Sequence, residues 1–228
     1  MLRRLLFLAA LVAAVIVACI VIRGSLPNKM TIEKLVIEFD EEQQVKPVKK
    51  GTVIDPAEQY AVAVHEAGHA IVVEAAFAGP VHDYIWVKTA YHGDSLGEYD
   101  NTRPTLIRTP HELMDDVTCF MGGRAADELI NGAPTNGATR DLYNASAIVW
   151  RMHIENGLGG SLRYRSKEEA PEWIRVRVEQ CLEEAHDRAL DIISANEDVI
   201  VALAVRVMLE PEDDDMHFLS GDDLRQFF

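Results

Sequence analysis

The stretch Val64-His65-Glu66-Ala67-Gly68-His69-Ala70 holds the residues best suited to chemistry in this chain of 228 residues. His65 and His69 are four apart, and on a helix residues at that spacing share a face. Two imidazoles so placed can grip one divalent metal ion together. The glutamate beside the first can then hold a water that the metal activates. A catalytic zinc also needs a third protein ligand and an open position, which must come from elsewhere in the chain.

The surrounding sequence supplies elements that could position this pair. Asp55 is a good N-cap, Pro56 suits the first helical position, and Glu58 can reach back as a capping-box partner. A helix is therefore predicted from Pro56 to Phe77, stopping before Gly79-Pro80. Val62, His65, His69, Val72 and Val73 share one stripe of it, which turns the histidines inward. Gly68, in mid-helix, costs about 1 kcal/mol relative to alanine and is expected to permit close packing. Two short β-like runs follow, Tyr84–Lys88 and Leu96–Tyr99. A second helix opens at Thr109-Pro110-His111-Glu112, runs to about Ile130 and ends at Asn131-Gly132-Ala133-Pro134. A third begins near Thr139 with Asp141 in its first turn. Helices at 171–195 and 197–209, an acidic solvated loop from Glu210 to Asp215 and a short helix capped by Ser220 complete the domain. The fold class is mostly α with a small β-element.

Several sources of a third ligand can be weighed. The metzincin pattern requires glycine at 72 and histidine at 75, but Val72 and Ala75 stand there. A thermolysin-like arrangement needs a carboxylate on a following helix; Asp94 and Glu98 are in range, but their surroundings read as strand and loop. An intramembrane protease would carry the histidines in a spanning helix, which Glu58, Glu66 and Glu74 interrupt. The best remaining candidate is Asp141, in Asn136-Gly137-Ala138-Thr139-Arg140-Asp141-Leu142. A carboxylate in a first helical turn after a glycine-containing loop is held rigidly and can point at a neighbouring helix.

With these segments assembled, the chain resembles the peptidase domain of the FtsH family of zinc metallopeptidases (peptidase family M41). The matching stretches are Ala63 to Ala70, then Gly122-Gly123-Arg124-Ala125-Ala126-Asp127-Glu128-Leu129-Ile130, then Gly137 to Leu142, Arg151-Met152, and Leu219-Ser220-Gly221-Asp222-Asp223-Leu224. They cover about residues 56 to 228 in the family's order. The resemblance implies His65, His69 and Asp141 as ligands of one Zn²⁺ per chain and Glu66 as the catalytic carboxylate. It places Asp127 where the family has a glutamate near the site, with an expected supporting role behind a ligand. It also implies that Leu96, Gly97, Glu98 and Tyr99 form an edge strand able to pair with an extended polypeptide substrate. The implied function is a zinc metalloendopeptidase acting on unfolded or extended protein segments. A zinc-binding but catalytically silent adaptor of the same fold is the alternative.

Composition bounds the rest. A net charge of −15 argues against nucleic acid as a partner, since phosphates would be repelled. Three cysteines without close spacing offer neither a disulfide framework nor a thiolate cage for zinc. The 18 uncharged residues from Leu5 to Ile22 can span a bilayer, so 1–23 is expected to be a single N-terminal transmembrane helix. Residues 24–54 read as a juxtamembrane linker and 55–228 as the peptidase domain. Basic residues flank the apolar run on both sides, so its orientation is not readable. No G-x-x-x-x-G-K-[ST] occurs, which argues against a phosphate-binding loop. A separate AAA ATPase or self-association is expected as a partner. Arg124 and Glu128 are expected to form a structural pair, and the six histidines other than His65 and His69 to be surface or satisfied residues.

Overall fold

Helix α1 (Pro56–Ala76) is the centre of the structure, a computed structural model that describes residues 48–77, 81–102, 107–162, 166 and 168–228. The expected membrane anchor and nearly all of the linker lie outside those residues. Among the described residues no helix is long and apolar enough to cross a membrane. Asp55 caps the helix as the sequence indicates, accepting a hydrogen bond from Ala57 N at 2.8 Å with Pro56 in the first turn, but Glu58 does not complete the expected capping box. The expected single inward stripe is too narrow a description. Every residue from Ala63 to Val73 is buried, because helices cover α1 on some faces and a sheet covers it on others.

Before α1, the two-residue strand β1 (Thr52–Val53) pairs antiparallel with β3 (Ala90–Tyr91). After it comes β2 (Val81–Lys88), and then β4 (Gly97–Thr102), which pairs antiparallel with β2. Helix α2 (Pro110–Ala126) starts on a complete capping box between Thr109 and Glu112. It continues as a wider π-helical turn, Asp127–Asn131, and stops at Gly132, whose φ of 90° closes the helix in the left-handed region. A 3₁₀ turn (Asn136–Ala138) leads into α3 (Thr139–Ile154). The helices α4 (Glu172–Ala195) and α5 (Glu197–Met208) each bury one stripe. In α5 it is Ile200, Leu203, Ala204 and Val207, spaced as an amphipathic helix requires.

The C-terminal segment departs from expectation. The acidic stretch read as a loop carries strand β5 (Glu212–Asp213), and an unforeseen strand β6 (Met216–Ser220) follows it. Asp214 and Asp215 form the two-residue turn between them with φ of 49° and 58°, the positive values that a type I′ hairpin demands. β6 pairs with β2, which makes the sheet order β4-β2-β6-β5, all antiparallel, with β4 at an edge. The short helix α6 (Gly221–Leu224) closes the chain on Ser220, whose side chain accepts from Asp223 N.

Helices α1 and α2 approach unusually closely. A Cβ on Gly68 would stand 2.6 Å from both Gly122 O and Ala126 Cβ, and one on Gly122 would stand 2.8 Å from Gly68 O. Glycine at both positions lets the backbones meet, which offsets the helix propensity lost at Gly68.

Candidate metal centre

The close crossing of α1 and α2 brings His65 and His69 against the end of α2, and α3 supplies Asp141 from its first turn. His65 Nε2 and His69 Nε2 are 3.3 Å apart, and each is 3.4 Å from Asp141 Oδ2. The three donors therefore form a nearly equilateral triangle. Zinc with bonds of about 2.0–2.1 Å in tetrahedral geometry holds its ligand atoms about 3.3 Å apart. Among the described residues this is the one group of three or more His, Cys, Asp or Glu side chains able to hold a metal.

Both imidazoles are oriented from behind. His65 Nδ1 donates to Asp127 Oδ2 at 3.0 Å, and His69 Nδ1 donates to the main-chain O of Cys119 at 2.8 Å. With Nδ1 protonated on each ring, each Nε2 presents a lone pair to the centre. Asp127 sits at the start of the π-helical turn and is itself pinned. Its Oδ1 accepts from Asn131 Nδ2 at 2.9 Å, and its Oδ2 also accepts from Thr135 Oγ1 at 3.0 Å. Asn131 and Thr135 carry no metal-site signal in the sequence; only the fold links them to His65. Gly123 is another residue with no such signal, although its missing side chain makes room for the His65 ring.

Charge in the group is strongly coupled. Burial works against the positive form of His65, but hydrogen bonds to Asp127 and Asp141 and the charge of Glu66 outweigh it, pushing its pKa up to about 10. Burial raises Asp141, yet the hydrogen bonds from His65 and His69 prevail and hold it well below the usual carboxylate range. Glu66 goes the other way: burial pushes its carboxyl up, only partly opposed by His69 and His65.

The chemistry of the donor set and its spacing fit a zinc ion held by His65, His69 and Asp141. A cleft of about 710 Å³ opens onto them, with Val62, Glu66, Leu96, Gly97, Glu98 and Tyr99 among the residues that line it. The strand expected at Leu96–Tyr99 runs from Gly97 to Thr102, with Leu96 just before it, bonded through its main-chain O to Lys88 N. The rival carboxylates do not join the cluster. Asp94 bonds to Lys88 Nζ, and Glu98 accepts from Tyr84 Oη at 3.1 Å. Arg124 and Glu128 pair at 3.0 Å, and Glu128 also meets His186 at 3.2 Å.

Fold and site thus define a helical domain with a helix-borne H-E-x-x-H pair completed by an aspartate from a third helix. A sequence profile of peptidase family M41 matches residues 52–215, and the chain belongs to that family. It is 31% identical over 201 residues to the ATP-dependent zinc metalloprotease FtsH of Pseudothermotoga lettingae, covering 79% of this chain and 31% of that protein. The FtsH of Thermotoga maritima is 28% identical over 201 residues, 79% of this chain and 32% of the relative. FtsH 3 of Sorangium cellulosum is 38% identical over 113 residues, 48% of this chain and 18% of the relative. The chain thus matches about a third or less of the length of these relatives.

Proposed function

We propose that the chain is a membrane-anchored zinc metalloendopeptidase that hydrolyses peptide bonds in unfolded or extended protein segments. The triangle of His65 Nε2, His69 Nε2 and Asp141 Oδ2, with Glu66 alongside, carries this reading. Zinc bound there would supply a Lewis acid for the peptide carbonyl and an activated water for its attack. Glu66 takes the proton from the attacking water and returns it to the leaving amine. Its upward-shifted carboxyl suits that double task, because a base of higher pKa accepts the proton more readily. Asp127 keeps His65 in the ligating tautomer. Leu96, Gly97, Glu98 and Tyr99 lie along the cleft at the sheet edge, where an extended substrate backbone could add as a further strand.

Residues 1–23 are assigned as the anchor, 24–54 as the linker and 55–228 as the peptidase domain. The named relatives are ATP-dependent. As partners of this chain we assign an AAA ATPase or a further copy of the chain.

The test uses the full-length chain with zinc and casein. The wild type should bind one zinc per chain and cleave. Glu66→Gln should keep the zinc and lose cleavage by about 10²–10⁴-fold, the usual weight of a general base. Asp141→Ala should lose zinc and cleavage together. Stoichiometric zinc with no cleavage by the wild type would overturn the peptidase reading in favour of a zinc-binding, membrane-tethered adaptor.

A further inference from the structure

Strand β2 breaks its own alternation. Ile85 and Val87 face the core, so a regular strand would turn Asp83 inward and His82 outward. Instead the register slips between His82 and Tyr84, where β2 has one residue more than β4. This bulge swings His82 to the inner side, where it is 2% exposed. Its ring is then held from three directions. Tyr99 Oη on β4 lies 2.7 Å from Nδ1, Glu74 Oε2 on α1 lies 3.1 Å from Nε2, and Phe228 stacks on the ring with centroids 4.5 Å apart. The neutral ring satisfies both contacts when the Tyr99 hydroxyl donates to Nδ1 and Nε2–H donates to Glu74.

Strand β4 also meets Glu66. The β4 main chain comes close to that carboxylate: two residues before Tyr99, a Cβ on Gly97 would lie only 2.9 Å from Glu66 Oε1. Glu66 and Glu74 are eight residues apart on α1, about 12 Å along the axis. The helix therefore meets β4 at two points, once where Gly97 packs against Glu66 and once, by way of His82, through the Tyr99 phenol. β4 needs the second tie because an edge strand is held by a ladder on one side only.

We propose that His82 is a positioning residue for Glu66: by clamping the Tyr99 side chain to Glu74, it sets how closely β4 stands against the Glu66 carboxylate. This rests on the reading of Glu66 as the base. The clamp itself is a property of the fold and is measurable without catalysis.

The test compares Tyr99→Phe, His82→Ala and His82→Gln in the full-length chain. Glutamine can still accept from Tyr99 and donate to Glu74. Hydrogen exchange of the Tyr99 amide, followed by NMR, should quicken at least about tenfold in Tyr99→Phe and His82→Ala, since the edge strand loses its lateral restraint. For an unstructured peptide substrate, kcat should fall about ten- to a hundredfold, the cost of displacing a catalytic group by about 1 Å. The zinc content should stay unchanged, and His82→Gln should recover most of both losses. If Tyr99→Phe and His82→Ala lower the melting temperature but leave amide exchange and kcat at wild-type values, His82 is a structural brace alone and the proposal is wrong. Should His82→Ala fail to fold, Tyr99→Phe decides. If the wild type cleaves nothing, the peptidase reading falls, while the exchange of the Tyr99 amide still decides for or against the clamp.

Discussion

Gly123 stands directly behind His65: a Cβ at position 123 would lie 2.3 Å from Nε2 and 2.5 Å from Cδ2 of that ring. The imidazole occupies the space a side chain would fill, and both atoms belong to packed helices. In Gly123→Ala the ring must therefore move away from His69 and Asp141. Zinc affinity should drop at least about tenfold, because ligand placement governs metal affinity. Competition with a chelating dye reads this directly, and wild-type affinity in the variant would show that the ring has another place to go.

Asp127 sits one layer further back and should act on the metal without touching it. In Asp127→Ala, the buried Nδ1–H of His65 loses its acceptor and the tautomer that exposes Nε2 is no longer favoured. We expect zinc affinity to fall about 10–100-fold, the usual effect of removing a ligand's hydrogen-bond partner. Stoichiometry at saturating zinc should remain one per chain. A variant that binds as tightly as the wild type would remove Asp127 from the site.

Metal uptake should depend on pH with a defined sign. The pKa of His65 in the metal-free fold is raised from 6.5 to about 10, so near neutrality the ring carries a proton that zinc must displace. Affinity should therefore climb by up to about tenfold per pH unit between about pH 6.5 and 8.5. The metal-free protein should show the converse. The stability this proton contributes is fully present below about 6.5 and is lost as the pH rises through about 10. Zinc titrations in two buffers of different ionisation enthalpy would count the released protons; none released would contradict the shift.

Gly68→Ala sets two effects against each other. Helix propensity alone would favour alanine by about 1 kcal/mol. The new methyl, however, would meet Gly122 O and Ala126 Cβ at 2.6 Å, contacts that force α1 and α2 apart. Overpacking of this kind costs about 1–3 kcal/mol and should win. A lower melting temperature in the metal-free protein is the expected result, and a rise would mean that the crossing relaxes freely.

Much of the scaffold around the site was legible because its signals are local. Asp55 with Pro56, and Thr109 with Glu112, mark helix starts through bonds spanning two or three residues. The ends of α3, α4 and α5 lie within a residue or two of those read from glycines, caps and periodicity. Strand β6 escaped notice because it is five residues long and only partly alternating, and its partner β2 lies more than 120 residues earlier. The hairpin turn at Asp214-Asp215 does carry a signal, two adjacent acids able to take positive φ, but within so acidic a stretch it has the same pattern as a solvated loop.

The chain by itself determined the H-E-x-x-H spacing, the helix that bears it and the family it resembles. The first two are written in residues within a few turns of one another, where backbone geometry alone dictates which side chains share a face, and the third in short stretches that keep one order along the chain. What only the tertiary structure decided is how the chain surrounds that helix. Asp141 reaches His65 across 76 residues of sequence and Asp127 across 62. A one-residue bulge turns His82 from solvent to the inner side of the sheet. These placements depend on which backbones can touch. Glycines at 68, 97, 122 and 123 permit that contact by what they lack, and only Gly68, by standing in mid-helix, marks it in the sequence.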